Sequence, residues 1–97
     1  MILCGGRSHM HVKEWTKIFK GFSNENRLKI LVILKKEKEL PVHDISFRIG
    51  LGIKATSKHL IILANLGFLE SHGKQGSVWY RLHPKMLKEI VHTMKML

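Results

Sequence analysis

Cysteine, proline and acidic residues are all scarce in this 97-residue chain, which has one Cys, two Pro and seven Asp plus Glu. Each scarcity excludes something. A lone Cys4 permits neither an intramolecular disulfide nor a cysteine-based zinc site, so a reduced, cytoplasmic protein is expected. No apolar run exceeds that of Ile30 to Leu34, far short of the ~20 residues that cross a bilayer, so no membrane span is expected. The few prolines and glycines form no linker, and 97 residues leave room for a single domain. No P-loop, His-Glu-x-x-His or paired-carboxylate motif occurs. Ser57, His59 and Asp44 carry the atoms of a catalytic triad, but two of them stand two apart on a helix and point to different faces. No enzyme, catalytic residue or cofactor is therefore expected.

What the chain has in excess is positive charge. Lys plus Arg total 17, for a net +10 with His neutral, while 44 % hydrophobic and 25 % charged residues match a globular domain. Residues 1–9 are read as an expression scar preceding a second start methionine, Met10. Leaving out Arg7 with that segment puts +9 on residues 10–97. Such a surplus calls for a polyanionic partner, nucleic acid first and an anionic membrane surface second. The charge is also uneven. Between Ile45 and Lys88 the bases Arg48, Lys54, Lys58, Lys74, Arg81, Lys85 and Lys88 face the single acid Glu70, whereas Met10 to Asp44 mixes eight bases with five acids.

Hydrophobic spacing orders the chain. Val12, Trp15, Phe19 and Phe22 form the stripe of a first helix. Ser23 is a good N-cap for a second helix from Asn24, apolar nearly all round from Leu28 to Leu34 and so expected at the centre of the core. Pro41 suits the first turn of a third helix, and Gly50-Leu51-Gly52 turns the chain into a fourth, residues 53–66. Thr56, Leu60 and Leu63 of that helix face inward, while Lys54, Ser57, Lys58, Ile61 and Asn65 line the opposite side. The period then changes to two: Phe68 to His72, a turn at Gly73 to Gly76, and Ser77 to Leu82 make a hairpin. Pro84 opens a last helix with the seam Leu87, Ile90, Val91, Met94 and Leu97. The expected fold is mainly α with a small β-hairpin, α-α-α-α-β-β-α, a winged helix-turn-helix.

Gly50-Leu51-Gly52-Ile53-Lys54-Ala55 also fits G-x-G-x-x-A, with alternating Ile45, Phe47 and Ile49 before it and Glu70 twenty residues after Gly50. A central parallel strand there would bury Ser46 and Arg48, and the 27 residues after Glu70 cannot complete a dinucleotide-binding sheet.

Four stretches together resemble the ArsR/SmtB family of winged-helix repressors: Phe19 to Leu31, Ser57-Lys58-His59-Leu60, Leu66-Gly67-Phe68-Leu69 and Trp79-Tyr80-Arg81-Leu82. The resemblance spans almost all of residues 10–97. It implies a homodimer paired through its first and last helices (10–22 and 84–97) and a repressor that releases DNA when an effector binds. The family's metal-sensing members carry Cys-Val-Cys at the start of the third helix. This chain instead reads Glu39-Leu40-Pro41-Val42-His43-Asp44, and Glu89 and His92 on the last helix lack the acidic partner that other members supply. No metal site is expected, and the effector stays unassigned.

In this reading residues 53–66 enter the major groove of double-stranded DNA, with Lys54, Ser57 and Lys58 toward the bases. Thr56 and His59 lie at the edges of that face, Arg48 on the third helix adds charge, and Lys74, Gln75 and Arg81 of the wing 70–82 reach flanking phosphates or the minor groove. His59 is equally a packed residue, and Ile61 touches either a thymine methyl or another protein. Val12, Trp15, Phe19, Leu87, Ile90, Val91, Met94 and Leu97 are the expected dimer contacts, and an inverted-repeat operator follows. The alternatives are that both seams pack within one chain, and that the winged helix binds protein instead of DNA.

Overall fold

A computed structural model describes residues 11–97; the segment read as a scar, with Cys4, lies outside the described residues. The order is α1 (Val12–Phe22), α2 (Glu25–Lys36), β1 (Leu40–Pro41), α3 (Val42–Ile49), α4 (Ile53–Asn65), β2 (Leu69–Lys74), β3 (Ser77–Leu82) and α5 (Lys88–Met94). None of the described helices is long and apolar enough to cross a membrane.

Helix ends follow local hydrogen bonding. Glu14 accepts from the His11 N–H at 3.0 Å and secures the start of α1. Asn24, not Ser23, caps α2: its Oδ1 accepts from the N–H groups of Asn26 at 2.9 Å and Arg27 at 3.2 Å. Ser23 is unavailable because its hydroxyl donates backward to the Lys20 carbonyl and closes α1. The last helix also differs from expectation. It begins at Lys88 rather than Pro84, because His83 Nδ1 accepts from the Lys85 N–H at 3.0 Å and holds the proline in a tight turn.

The core is built from Ile30, Leu31 and Leu34 of α2, Ile45 of α3, Leu60 and Leu63 of α4, and Phe68 and Leu69 after it. Each such side chain contributes roughly 1.5–3 kcal/mol when fully removed from water. Only one side of α2 is central, contrary to expectation: Leu28, Val32 and Ile33 edge a surface groove of about 340 Å³ shared with Ile49 of α3. Ile18 and Gly21 turn the inner side of α1 onto this core, and Phe22 meets Phe68 edge to face at 5.1 Å.

The sheet has three strands in the order β1-β3-β2, all antiparallel. The hairpin turns at Gln75 and Gly76, both in left-handed conformations at φ +52° and +77°, as a two-residue connection requires. Gly73 and Lys74, expected in the turn, belong to β2. β1 is an addition that two residues cannot signal in sequence. It pairs Leu40 with Tyr80 and Pro41 with Trp79, at the sheet edge where proline is tolerated.

Candidate nucleic-acid interface

Residues 45–49 are helical, so the glycines that follow them are helix punctuation and not a nucleotide loop. Gly50 ends α3 at φ +69°, a conformation that favours glycine, and extended Gly52 begins α4. Between them the Leu51 carbonyl accepts from Ser46 Oγ at 2.5 Å and Thr56 Oγ1 at 3.5 Å, while the Leu51 N–H donates to the Ser46 carbonyl at 3.2 Å. Both hydroxyl side chains are buried, so the angle between α3 and α4 is held from inside the protein. Thr56 is 0 % exposed. Its expected contact with DNA is thereby corrected: the hydroxyl serves the turn.

With Thr56, Leu60 and Leu63 buried, helical periodicity aims Lys54, Lys58, Ile61 and Asn65 outward, and all four are exposed. Ser57, half-buried, flanks that line. Among the described residues neither Lys54 nor Lys58 has an acidic partner. His59 is different. It is half-buried, with Nδ1 3.4 Å from Arg27 Nη1, and Arg27 in turn donates to the Lys20 carbonyl from Nε and Nη2 at 3.2 and 2.8 Å. Burial, and secondly the Arg27 charge, hold the His59 pKa below its ordinary 6.5. The neutral ring thus belongs to a joint among α1, α2 and α4.

The remaining cations expected at DNA are already engaged. Arg48 meets Glu37 at 2.9 Å, Arg81 pairs with Glu70, and Lys74 meets Glu39 at 2.8 Å while lying 4.5 Å above the Trp79 ring. His72 Nε2 also lies 3.0 Å from Glu39 Oε1. The Lys74 hydrogen bond is the main cause holding the Glu39 carboxyl below its ordinary pKa, with partial desolvation opposing it. Gln75 is exposed at the hairpin tip. Segment by segment the charges looked segregated, but folding carries Glu37 and Glu39 to the basic half. Sequence reasoning missed these two acids, because pairing of β1 with β3 is what brings Glu39 to the wing. It also missed the exposure of Phe47, 87 % on the outward side of α3. The helical period, once α3 is assigned from Pro41, would have placed it there.

Helices α1 and α5 leave apolar surface uncovered. Val12, Trp15, Phe19, Leu87, Val91 and Leu97 are exposed, with Trp15 and Phe19 stacked at 5.9 Å. A groove of about 530 Å³ runs past Trp15, Val91, Glu89 and His92. Ile90 and Met94 are corrected: they are buried in the chain's own core and cannot meet a partner. In the place of the metal-sensing Cys-Val-Cys, Pro41 lies paired in β1, and His43 Nε2 sits 3.4 Å from Asp44.

The family model described as "Bacterial regulatory protein, arsR family" matches residues 24–71. The chain is 31 % identical over 77 residues to the transcriptional activator HlyU of Vibrio cholerae, covering 79 % of this chain and 70 % of that one. The solved structure of HlyU superposes with a TM-score of 0.76 at 28 % identity, covering 90 % and 92 %. The cadmium resistance transcriptional regulatory protein CadC of Listeria innocua is 47 % identical over 62 residues, 64 % of this chain; the chain spans about half (51 %) of its length. The homodimeric winged helix-turn-helix DNA-binding domain Mb0332 of Mycobacterium bovis shares the fold, with a TM-score of 0.76 at 21 % identity, covering 88 % and 75 %. These relatives are named for regulation or DNA binding, and none for catalysis.

Proposed function

Because this chain belongs to the ArsR family of bacterial regulatory proteins, we propose that it binds an inverted-repeat operator in double-stranded DNA as a homodimer and represses transcription by occupying it. One observation carries the reading: α4 has an inner side locked in the core and an outer side offering Lys54 and Lys58 without acidic partners. Seated in a major groove, those ammonium groups reach guanine acceptors or phosphates, and Ser57 adapts to either. The backbone N–H groups at the start of α4 add a favourable field for a phosphate. Repression asks for nothing beyond occupancy of a promoter.

The dimer is supported by the exposed apolar residues of α1 and α5, with Trp15 and Val91 lining one groove, since contiguous exposed apolar surface marks a contact site. Pairing them by a two-fold axis sets two copies of α4 into successive major grooves about 34–36 Å apart. The wing enters by exchanging Glu39 and Glu70 for phosphates, since exposed ion pairs are weak enough to be traded.

Selection of bound fragments from random duplex DNA tests the reading. A palindromic winner is expected, with affinity falling steeply in salt and Lys58→Ala lowering the log–log slope by about one where it meets a phosphate. The exposed Phe47 favours a second reading, a winged helix that docks protein. Weak sequence-independent binding, unaltered by Lys54→Ala and Lys58→Ala, would replace the first reading by the second.

A further inference from the structure

The outward line of α4 contains one residue that does not belong to a charged surface. Lys54, Lys58, Ile61 and Asn65 succeed one another at intervals of four, three and four residues, hence along one face. Ile61 is 51 % exposed at the middle of that line, whereas the packing of α4 rests on Thr56, Leu60 and Leu63. A branched hydrocarbon is thus held in water between a lysine and an asparagine, with no structural duty to explain it.

Resting on the DNA-binding reading above, we propose that Ile61 determines sequence specificity by packing on the C5-methyl group of a thymine. The major-groove edge of a base pair presents donors, acceptors and a single apolar group, the thymine methyl. Ile61 stands three residues beyond Lys58, about 4.5 Å along the helix axis, comparable to the ~3.4 Å between stacked base pairs. The isoleucine and the lysine therefore address neighbouring pairs. Its β-branched side chain is stiff at χ1, so little rotamer freedom is lost on contact. The residues before and after it on the same line, Lys58 and Asn65, are polar and suit a polyanion, while Ile62, 38 % exposed, is turned about 100° off that line.

The test uses the full chain and the operator recovered by selection, with each thymine replaced in turn by deoxyuridine, which removes the methyl and nothing else. Binding of the parent operator checks the DNA-binding reading by itself. One position per half-site is expected to lose about fourfold in affinity on losing its methyl, the value of one buried methyl-sized group. That penalty should vanish in Ile61→Ala and persist in part in Ile61→Val. Tight binding of the parent operator with no uracil-sensitive position overturns the inference while leaving the regulator reading intact. So does a penalty that survives in Ile61→Ala. An Ile61→Ala variant with unchanged affinity and operator choice also overturns it.

Discussion

Gly21→Ala sets two effects of opposite sign against each other. In a helix alanine is favoured over glycine by at most about 1 kcal/mol, less in the last turn where Gly21 sits, so propensity alone predicts a somewhat more stable protein. The inner face of α1 predicts the reverse. A Cβ on Gly21 would lie under 3.0 Å from three ring atoms of Phe68, closer than real carbon atoms approach. Phe68 cannot yield: it is fully buried and held edge to face by Phe22. Helix α1 must therefore lift from the core, straining the packing by about 1–3 kcal/mol and partly exposing Ile18, worth up to roughly 1.5–3 kcal/mol more. The loss exceeds the gain by about 1–2 kcal/mol or more. For a domain of this size Tm should fall by about 5–15 °C. Thermal unfolding followed by far-ultraviolet circular dichroism measures it, at one fixed protein concentration because the proposed dimer would make Tm concentration-dependent. Gly73→Ala is the control: nothing lies within 4 Å of its added Cβ, and Tm should hold or rise slightly. A Tm for Gly21→Ala equal to or above that of the parent protein would refute the packing argument.

Asn24→Ala removes the acceptor for two N–H groups of α2 and should cost about 1 kcal/mol in chemical denaturation, whereas Ser23→Ala should cost less. The His59 pKa lies below its ordinary 6.5, so the unfolded chain binds that proton more readily; the associated stability is complete above about pH 6.5 and drains away as pH falls through the folded-state value. His59→Asn should flatten that part of the stability–pH curve, and an unchanged curve would count against the half-buried neutral ring. Glu39→Gln frees Lys74, so duplex affinity should rise a few-fold in gel-shift titration; the gain should be absent in a Lys74→Ala background, and a loss of affinity would show that Glu39 positions the lysine instead.

Features that depend on spacing within one element were legible in the sequence. The inward and outward lines of α4 follow from Thr56, Leu60 and Leu63 repeating at helical intervals, and the turn from its two flanking glycines. Features that depend on distant segments were not. Glu39 and Lys74 stand 35 residues apart, and only the pairing of β1 with β3 brings them together. Thr56 shows a different failure. Its position was read correctly as inward, but its hydroxyl was still counted as a polar contact, although a buried hydroxyl needs an internal acceptor and the Leu51 carbonyl supplies one. Ile90 and Met94 share a seam with the exposed Val91. Periodicity identified the seam without saying which of its members this chain would cover itself.

The two-residue strand β1 has a mechanical consequence. Its last residue, Pro41, is followed directly by the first residue of α3, so the hairpin is joined by backbone hydrogen bonds to the segment that launches the helix pair. No slack separates the two. The chain therefore resembles calipers with a locked joint: in the proposed complex a duplex meets a span already set, and a tilt of α3 would carry the paired base of the hairpin with it.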